Sequence, residues 1–320
     1  MKILHYALGL PPYRTGGMTK FCLDLMVQQN MDGHQVAMIW PGKIGLINKK
    51  ISVIDRGSAI LKEKEINIHN FEIINPLPIS YDEGIKQFDV FMYDAGKEIY
   101  RQFLDDFQPD VLHVHTLMGL HKSLIAASKE KGIRLVYTAH DFFPVCPKVT
   151  MFRNGEICRT ADSCEECSAC NSTALGIKKM QMLQSPLYRR LKDNAVVRKM
   201  RKRHRDNYLK ENSQAWEEGG VGTAADYKKL RKYYNSLLDL MDMIHYNSSV
   251  TKRVYEAYIG CRNSCVIGIS HADIMDCKKI KEFSKDILRI RYLGPCGEGK
   301  GFFYLRRHWI NYGMKARIFA

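Results

Sequence analysis

The amino-terminal residues of the chain alternate strand, glycine loop, helix and strand, a pattern that restricts the fold to a βαβ opening. Residues 2–7 form a short apolar run, and residues 18–29 carry apolar side chains at helical spacing. Between them lie Gly16 and Gly17, and residues 35–40 form a second apolar run. A glycine pair before a helix lets backbone N–H groups approach an anion, which the helix dipole also favours. The pair therefore predicts a phosphate-binding loop, although glycine pairs also form ordinary turns.

The same alternation continues through the next two hundred residues or so of the chain. We expect strands and helices in turn, which predicts an α/β fold with a Rossmann-like, doubly wound parallel sheet. The predicted strands cover 66–74, 111–115, 134–138 and 264–270, and the predicted helices cover 86–107, 120–131, 226–244 and 250–258.

Two breaks in this alternation divide the chain. We expect residues 1–275 to form one N-terminal domain, with a cysteine-rich excursion at 144–171 and a basic helical insertion at 176–245. An apolar run at 287–293 predicts a strand that begins a new domain. Residues 285–320 are therefore expected to begin a second Rossmann-like domain that stays incomplete.

The positive charge of the chain is concentrated in the insertion. The formal net charge is +15, and Lys178–Lys232 holds 16 Lys or Arg against six Asp or Glu, an excess of ten. Such a segment suits an anionic membrane surface, nucleic acid or phosphorylated substrates, or it is only a solvated helix face. Its aromatic residues recur at helix-packing spacing, so we do not favour nucleic acid.

The chain is expected to act in the cytoplasm, where it could lie peripherally on the inner face of the cell membrane. No apolar stretch of about 18 residues is present to suggest a membrane-spanning helix. The first residues also lack the apolar core and cleavage site of a signal peptide. Ten cysteines in such a compartment should be reduced, buried or metal-bound.

Polar residues follow the predicted strands at the edge where α/β proteins bind ligands. We expect His113 and His115, which alternate along a strand, to point to opposite faces, so that at most one reaches a given crevice. His140 and Asp141 follow the next strand. An imidazole there can bond a ligand hydroxyl or act as acid or base, although the pair could also be a turn or cap.

Two further segments carry chemistry. Lys300 and Gly301 end a glycine-rich turn that starts at Gly294, and a lysine beside exposed amides suits a diphosphate. The spacing differs from that of a P-loop. The cysteines of the excursion allow a structural zinc site, free thiols or, less readily, an iron–sulfur cluster. These cysteines are Cys146, Cys158, Cys164, Cys167 and Cys170.

Four segments together resemble the family-4 glycosyltransferases of the two-domain GT-B fold. They are the first 42 residues and the motifs DVLHVHTLMGL, LVYTAHDFFPVCP and YLGPCGEGKGFFYL. The excursion is similar to that of members that build bacterial surface polysaccharides. The resemblance implies sugar transfer from a nucleotide-diphosphate sugar to a lipid-linked or saccharide acceptor, without a cofactor and with retention of configuration. It implies catalytic roles for His140 and Asp141, donor binding by Gly16, Gly17, Lys300 and Gly301, and an acceptor side at His115 and Thr116.

Two departures from the family pattern bear on activity. Pro295 stands where many members carry an arginine, and the family's acidic donor-binding motif would lie beyond Ala320. We therefore expect a C-terminally truncated enzyme with impaired transfer. The alternative is a non-catalytic, membrane-associated binding or accessory protein derived from such an enzyme.

Overall fold

The fold is taken from a computed structural model. The structure describes residues 1–275, 292 and 301–311, except 12, 46, 62–65, 154–155, 160–163, 193, 201–202 and 204–221. These residues form two compact units. The larger comprises Met1–Met151 and Arg159–His271, and the smaller comprises Phe152–Cys158 and Ala272–Ala320.

An eight-stranded sheet forms the centre of the larger unit. Its strands run in the order β10-β9-β6-β5-β1-β2-β4-β3. They are β1 (Lys2–Tyr6), β2 (Gln35–Pro41), β3 (Ser52–Leu61), β4 (Ile66–Ile74), β5 (Val111–Val114), β6 (Arg134–Ala139), β9 (Met243–Tyr246) and β10 (Ser264–Val266). A separate antiparallel hairpin consists of β7 (Phe152–Arg153) and β8 (Glu156–Ile157).

Helices connect the strands in the alternating manner that the sequence predicts. They are α1 (Gly17–Met31), α2 (Phe88–Phe91), α3 (Glu98–Phe107), α4 (Lys122–Glu130), α5 (Glu165–Cys170), α6 (Ile177–Leu183), α7 (Pro186–Leu191), α8 (Ala224–Leu238), α9 (Ser249–Ile259) and α10 (Phe302–Asn311). Residues 195–200 are also helical. Within the described part of the chain, no helix is both long and apolar enough to cross a membrane.

The predicted fold class is confirmed. Every neighbouring pair of strands in the large sheet is parallel except β3 with β4. Helical crossovers join the parallel strands except β2 and β4, which are connected through β3. The antiparallel edge strand β3 was not predicted from the sequence, and its pairing with β4 is interrupted by an irregularity between Asp55 and Ser58.

Two predicted helices have different bounds in the structure. The helix expected at 86–107 is divided into α2 and α3, and Gly96 between them has a φ of 73° that a right-handed helix cannot contain. The helix expected at 226–244 is wrong in its last part. It ends at Leu238, and β9 follows, pairing in parallel with β6 and β10. The final part of the predicted insertion is therefore a strand of the central sheet.

The strands near the site are buried on both faces. β1 is almost fully buried, and α1 packs beside it against β2 and β4. A cluster of apolar side chains fills this contact, formed by Ala7, Cys22, Met26, Val36, Met38 and Ile68. Because α1 starts at the carboxyl edge of the sheet and lies along this cluster, the core fixes the position of its glycine N-terminus.

The predicted second domain falls largely outside the described residues. The strand expected at 287–293 and the turn up to Lys300 cannot be compared with the structure, except for Tyr292, which belongs to no helix or strand. Gly301 is described within the smaller unit, with a φ of 76°. Its carbonyl accepts a hydrogen bond from the N–H of Leu305 at 3.0 Å, in the first turn of α10.

Candidate functional site

The predicted site residues of the larger unit follow three neighbouring strands. The loop to Gly16 follows β1, His115 and Thr116 follow β5, and His140 and Asp141 follow β6. The pairings of β1 with β5 and of β5 with β6 are parallel, so these segments leave the sheet at the same edge. Helix α1 also contacts the segment that follows β6, because the ring centres of Phe21 and His140 lie 5.1 Å apart.

The prediction that His113 and His115 point to opposite faces is wrong. Successive side chains alternate along a strand, so residues two apart share a face. The two ring centres lie 4.2 Å apart, and both lie near His5 of β1, with His113 tilted against it at 5.2 Å and His115 stacked on it at 5.3 Å. The register of the sheet explains why His5 lies beside these two rings, because His5 pairs directly with His113. The result is a cluster of imidazoles on one face of the sheet.

A row of hydrogen bonds connects this cluster to His140, and we call it the histidine row. It runs from Gln29 of α1 through His5 and His115 to His140. The distances are 2.7 Å from Gln29 Oε1 to His5 Nε2, 3.0 Å from His5 Nδ1 to His115 Nε2, and 3.2 Å from His115 Nδ1 to His140 Nε2.

The amide oxygen at its end gives the histidine row a direction. Oε1 of Gln29 can only accept, so Nε2 of His5 donates to it. A neutral imidazole has a single N–H, so His5 Nδ1 then accepts from His115 Nε2. By the same reasoning His115 Nδ1 accepts from His140 Nε2. Nδ1 of His140 is left as the nitrogen with a lone pair, able to accept a hydrogen bond from a hydroxyl.

A second row fixes His113 in the same way. Nε2 of His245 donates to the carbonyl of Ile267 at 2.7 Å, so in the neutral form of this ring Nδ1 accepts from the hydroxyl of Thr138 at 3.1 Å. The Thr138 oxygen then accepts from Nε2 of His113 at 2.7 Å. His113 is therefore held by the neighbouring strands β6 and β9, with its Nδ1 deprotonated.

Burial keeps the imidazoles of the cluster and of His140 neutral. Desolvation lowers the pKa of His5 and of His140 to about 4, and the charge of His245 adds to the effect at His140. Desolvation also holds the pKa values of His113 and His115 well below the usual 6.5, with further repulsion from the neighbouring imidazoles. The direction assigned to the histidine row therefore applies at neutral pH.

Asp141 lies beside His140, and its carboxyl group is a weaker acid than usual. Burial raises its pKa to about 6, against the opposing effect of the Phe143 N–H, which donates to Oδ1 at 2.9 Å. The backbone carbonyl of Asp141 accepts a hydrogen bond from the hydroxyl of Tyr255 in α9. Near neutral pH this carboxyl group is thus close to its own pKa, which suits proton exchange.

The glycine pair forms the exposed start of α1. Gly16 is the N-cap, with a φ of 118° that disfavours a side chain, and an added Cβ at either glycine would meet no described atom within 4 Å. No acidic residue stands in the first turn, and no side chain caps α1 among the described residues. The backbone N–H groups of this turn can therefore receive an external anion.

The remaining predicted site residues of the larger unit are buried. His115 and Thr116 both have no exposed surface, and the hydroxyl of Thr116 accepts a hydrogen bond from the N–H of Met118 at 3.2 Å. His115 can therefore act on a ligand only through His140. Lys300 lies outside the described residues, and Gly301 belongs to the smaller unit.

Three of the histidines could also hold a metal ion. His5, His113 and His115 each offer a ring nitrogen, and these atoms lie within 4.8 Å of one another. The outer nitrogens bond to Gln29, Thr138 and His140, as the second shell of a metal site would. The 3.0 Å bond between His5 and His115, however, satisfies these two nitrogens without a metal.

The cysteines of the excursion are thiols, and two are in contact. Cys164 and Cys167 share a hydrogen bond, which lowers the pKa of Cys164, and the charges of Arg231 and Lys228 lower it further against the effect of burial. A thiolate at this position is the form that binds zinc. Cys158 belongs to the smaller unit, so a zinc site built from the whole set stays a prediction.

Comparison with known protein families gives a match that includes most of this site. Residues 15–159 match the model of Glycosyltransferase Family 4. That range includes the glycine pair, His115, His140 and Asp141. The match and the parallel sheet together support a glycosyltransferase.

A particular relative is similar to part of the chain. It is an uncharacterized 42.6 kDa protein in the cps region of Klebsiella pneumoniae, 22% identical over 148 residues. The match covers 45% of this chain and 38% of the relative. The chain therefore spans well under half of the length of that relative.

Proposed function

We propose that the chain transfers a sugar from a nucleotide-diphosphate donor to a saccharide or lipid-linked acceptor during polysaccharide synthesis. The observation that carries this proposal is the contact between α1 and His140. It combines a helix N-terminus suited to an anion with an imidazole suited to a sugar hydroxyl. The family match over residues 15–159 and the relative from the cps region support the same reaction class.

In this proposal the residues of the larger unit bind and orient the donor. The N–H groups of α1 at Gly16 and Gly17 bind the leaving diphosphate, where charge develops as the glycosidic bond breaks. His140 accepts a hydrogen bond from a hydroxyl of the transferred sugar at Nδ1, and His5 and His115 hold it in that tautomer. Asp141 exchanges a proton with the acceptor hydroxyl. Lys300 and Gly301 remain candidates for the diphosphate on the strength of the resemblance alone.

A transfer assay with a panel of nucleotide-diphosphate sugars tests the proposal. We expect His140→Ala to lower the transfer rate by about 100-fold or more, since general acid–base and positioning groups contribute on that scale. The matched control is His34→Ala, which removes an imidazole at the opposite edge of the sheet, where its Nδ1 lies 3.4 Å from the N-terminal amine. Equal rates for the two variants would remove His140 from the site, and absence of turnover with every donor would favour an accessory protein.

We also propose that the basic insertion holds the chain on an anionic membrane surface. Exposed basic and apolar side chains occur together along residues 187–200, as in helices that lie in a membrane interface. The exposed basic residues there are Arg190, Arg198 and Lys199, and the exposed apolar ones are Leu187, Leu191, Val196 and Met200.

Vesicle flotation tests this membrane partner. The chain should float with vesicles that contain anionic phospholipid and should remain in the bottom fraction with neutral ones. The double change Arg198→Glu and Lys199→Glu should abolish flotation, because each basic residue near the surface contributes about 1 kcal/mol. The control Lys97→Glu with Arg101→Glu reverses as much charge on α3 and its N-cap. If the control has the same effect, the attraction is a property of net charge and not of this segment.

A further inference from the structure

A pocket on the larger unit is not used by the chemistry described above. It has a volume of about 100 Å³ and opens beside the loop that leads to the glycine pair. The loop after β1, the strands β2 to β4 and helix α7 contribute its walls. Its polar and aromatic lining consists of Tyr13, Arg14, Trp40, Asn70 and Arg189, and we call it the arginine pocket.

The two arginines are held in the pocket by well-defined contacts. The guanidinium of Arg189 lies 4.9 Å from the ring centre of Trp40 and donates to the carbonyl of Pro41 at 3.4 Å. Arg14 donates from Nε to the carbonyl of Leu8 at 3.1 Å, and its Nη1 donates to the hydroxyl of Tyr81. These contacts leave the orientation of both groups defined before a ligand arrives, which reduces the entropy lost on binding.

The charge of the pocket is not balanced by its surroundings. Burial lowers the pKa of Arg189, and the positive charge of Arg14 lowers it further, which indicates that the two guanidinium groups repel each other. Glu72 is the nearby carboxylate, 4.0 Å from Arg189. It is also bound by Arg56, at 2.7 Å from Nε, and by the backbone N–H of Lys43. The one buried carboxylate thus contacts the guanidinium groups of Arg56 and Arg189, and no carboxylate pairs with Arg14 in the described part of the chain.

Such a pocket suits an anionic group carried on a sugar ring. Guanidinium groups bind carboxylate and phosphate oxygens in paired hydrogen bonds, and aromatic rings pack against the apolar face of a sugar. Asn70 provides a neutral hydrogen-bonding side chain, whose Oδ1 already accepts from the indole N–H of Trp40 at 3.3 Å. Arg14 and Arg189 both lie outside residues 15–159, the range that matches the family model.

We propose that the arginine pocket binds an anionic oxygen group of the acceptor saccharide through Arg14 and Arg189. This inference rests on the proposed transfer function for the identity of the ligand as an acceptor. The shared chemistry is a negatively charged oxygen group attached to a sugar. Its source is either the carboxylate of an acidic sugar or a phosphate that links the sugar to its carrier.

Binding by the full chain tests the proposal without requiring turnover. The indole N–H signal of Trp40, identified with Trp40→Phe, can be followed by NMR during titration with glucuronate, glucose 1-phosphate and neutral glucose. We expect at least one anionic sugar to bind at least about tenfold more tightly than glucose, because hydrogen bonds to charged groups usually contribute that much to binding. Preference for glucuronate identifies a carboxylate, and preference for glucose 1-phosphate identifies a phosphate.

Variants then separate the pocket from general electrostatics. Arg189→Gln and Arg14→Gln should each weaken binding of the anionic sugar by about 10- to 100-fold. Arg190→Gln is the matched control, because it removes the same charge from the adjacent, exposed position of α7. Equal binding of charged and neutral sugars, or an equal effect of Arg190→Gln, would overturn the proposal. If the chain binds anionic sugars through the two arginines but transfers no sugar from any donor, the pocket proposal holds and the transfer function does not.

Discussion

We expect the chain to lose most of its stability between pH 7 and pH 5, because the unfolded chain takes up protons that the folded chain cannot. Desolvation depresses the pKa of every histidine in the cluster, to about 4 at His5 and His140 and well below 6.5 at His113 and His115. His121, which bonds to the hydroxyl of Tyr100 at 2.6 Å, also has a pKa of about 4 because of burial.

The direction of the effect follows from proton linkage. A histidine whose folded pKa is depressed contributes stability that is present above its unfolded pKa of about 6.5 and is lost as the pH falls. Asp141 acts in the opposite sense, because its raised pKa means that the folded state binds the extra proton between about pH 4 and pH 6. One carboxyl group offsets only one of the five histidines.

The expected magnitude is large compared with the stability of a domain. Each neutral buried histidine contributes a slope of about 1.4 kcal/mol per pH unit below pH 6.5. Five such groups would remove on the order of 10 kcal/mol by pH 5, and typical domains have a total stability of about 5–15 kcal/mol. Unfolding at pH 5 should therefore need little or no denaturant.

Urea unfolding between pH 5 and pH 7.5 measures this slope directly. The variant His121→Phe removes one buried histidine away from the site. The dependence of the free energy of unfolding on pH should therefore decrease by the amount that one bound proton contributes. His34→Phe is the control and should leave the slope unchanged, because His34 is not one of the buried histidines. A free energy of unfolding that stays constant from pH 7 to pH 5 would show that the histidines are protonated in the folded chain.

The parallel sheet could be predicted from the sequence because its strands are continuous apolar runs separated by helical patterns. The edge strand β3 could not, since an antiparallel partner of β4 needs no helix before it and Gly57 interrupts its pattern. The strand β9 was missed because Met241, Ile244 and the residues before them continue the apolar spacing of α8. Only pairing with β6 distinguishes a strand there, and pairing is not visible in one segment.

The candidate site was predictable only where its residues follow strands. His140 and Asp141 stand directly after an apolar run, which is a local signal. His5 lies inside such a run and resembles a core residue, although its pairing with His113 brings it into the cluster. Gln29 reaches the histidine row from α1, and Arg189 reaches the arginine pocket from α7, through contacts between distant residues. The spacing of residues along the chain does not predict those contacts.

The histidine row should make His115 the most sensitive polar position of the site. His115→Leu removes the central member and leaves two buried groups without their partners, Nδ1 of His5 and Nε2 of His140. An unpaired buried polar group costs about 1–3 kcal/mol, so the free energy of unfolding at pH 7.5 should fall by about 2–6 kcal/mol. His121→Leu removes one such bond, to Tyr100, and should cost about half as much.

A structural effect and an effect on His140 can be separated by observing the tautomer. In the unmodified chain, the ¹⁵N signals of His140 should report a proton on Nε2 and none on Nδ1. Gln29→Glu keeps an oxygen acceptor at the end of the row and should preserve that tautomer, whereas Gln29→Met removes the acceptor and should allow both forms. If Gln29→Met leaves a single tautomer at His140, the direction of the row is set elsewhere. If it yields a mixture with unchanged folding, a side chain on α1 determines which nitrogen of His140 meets a ligand.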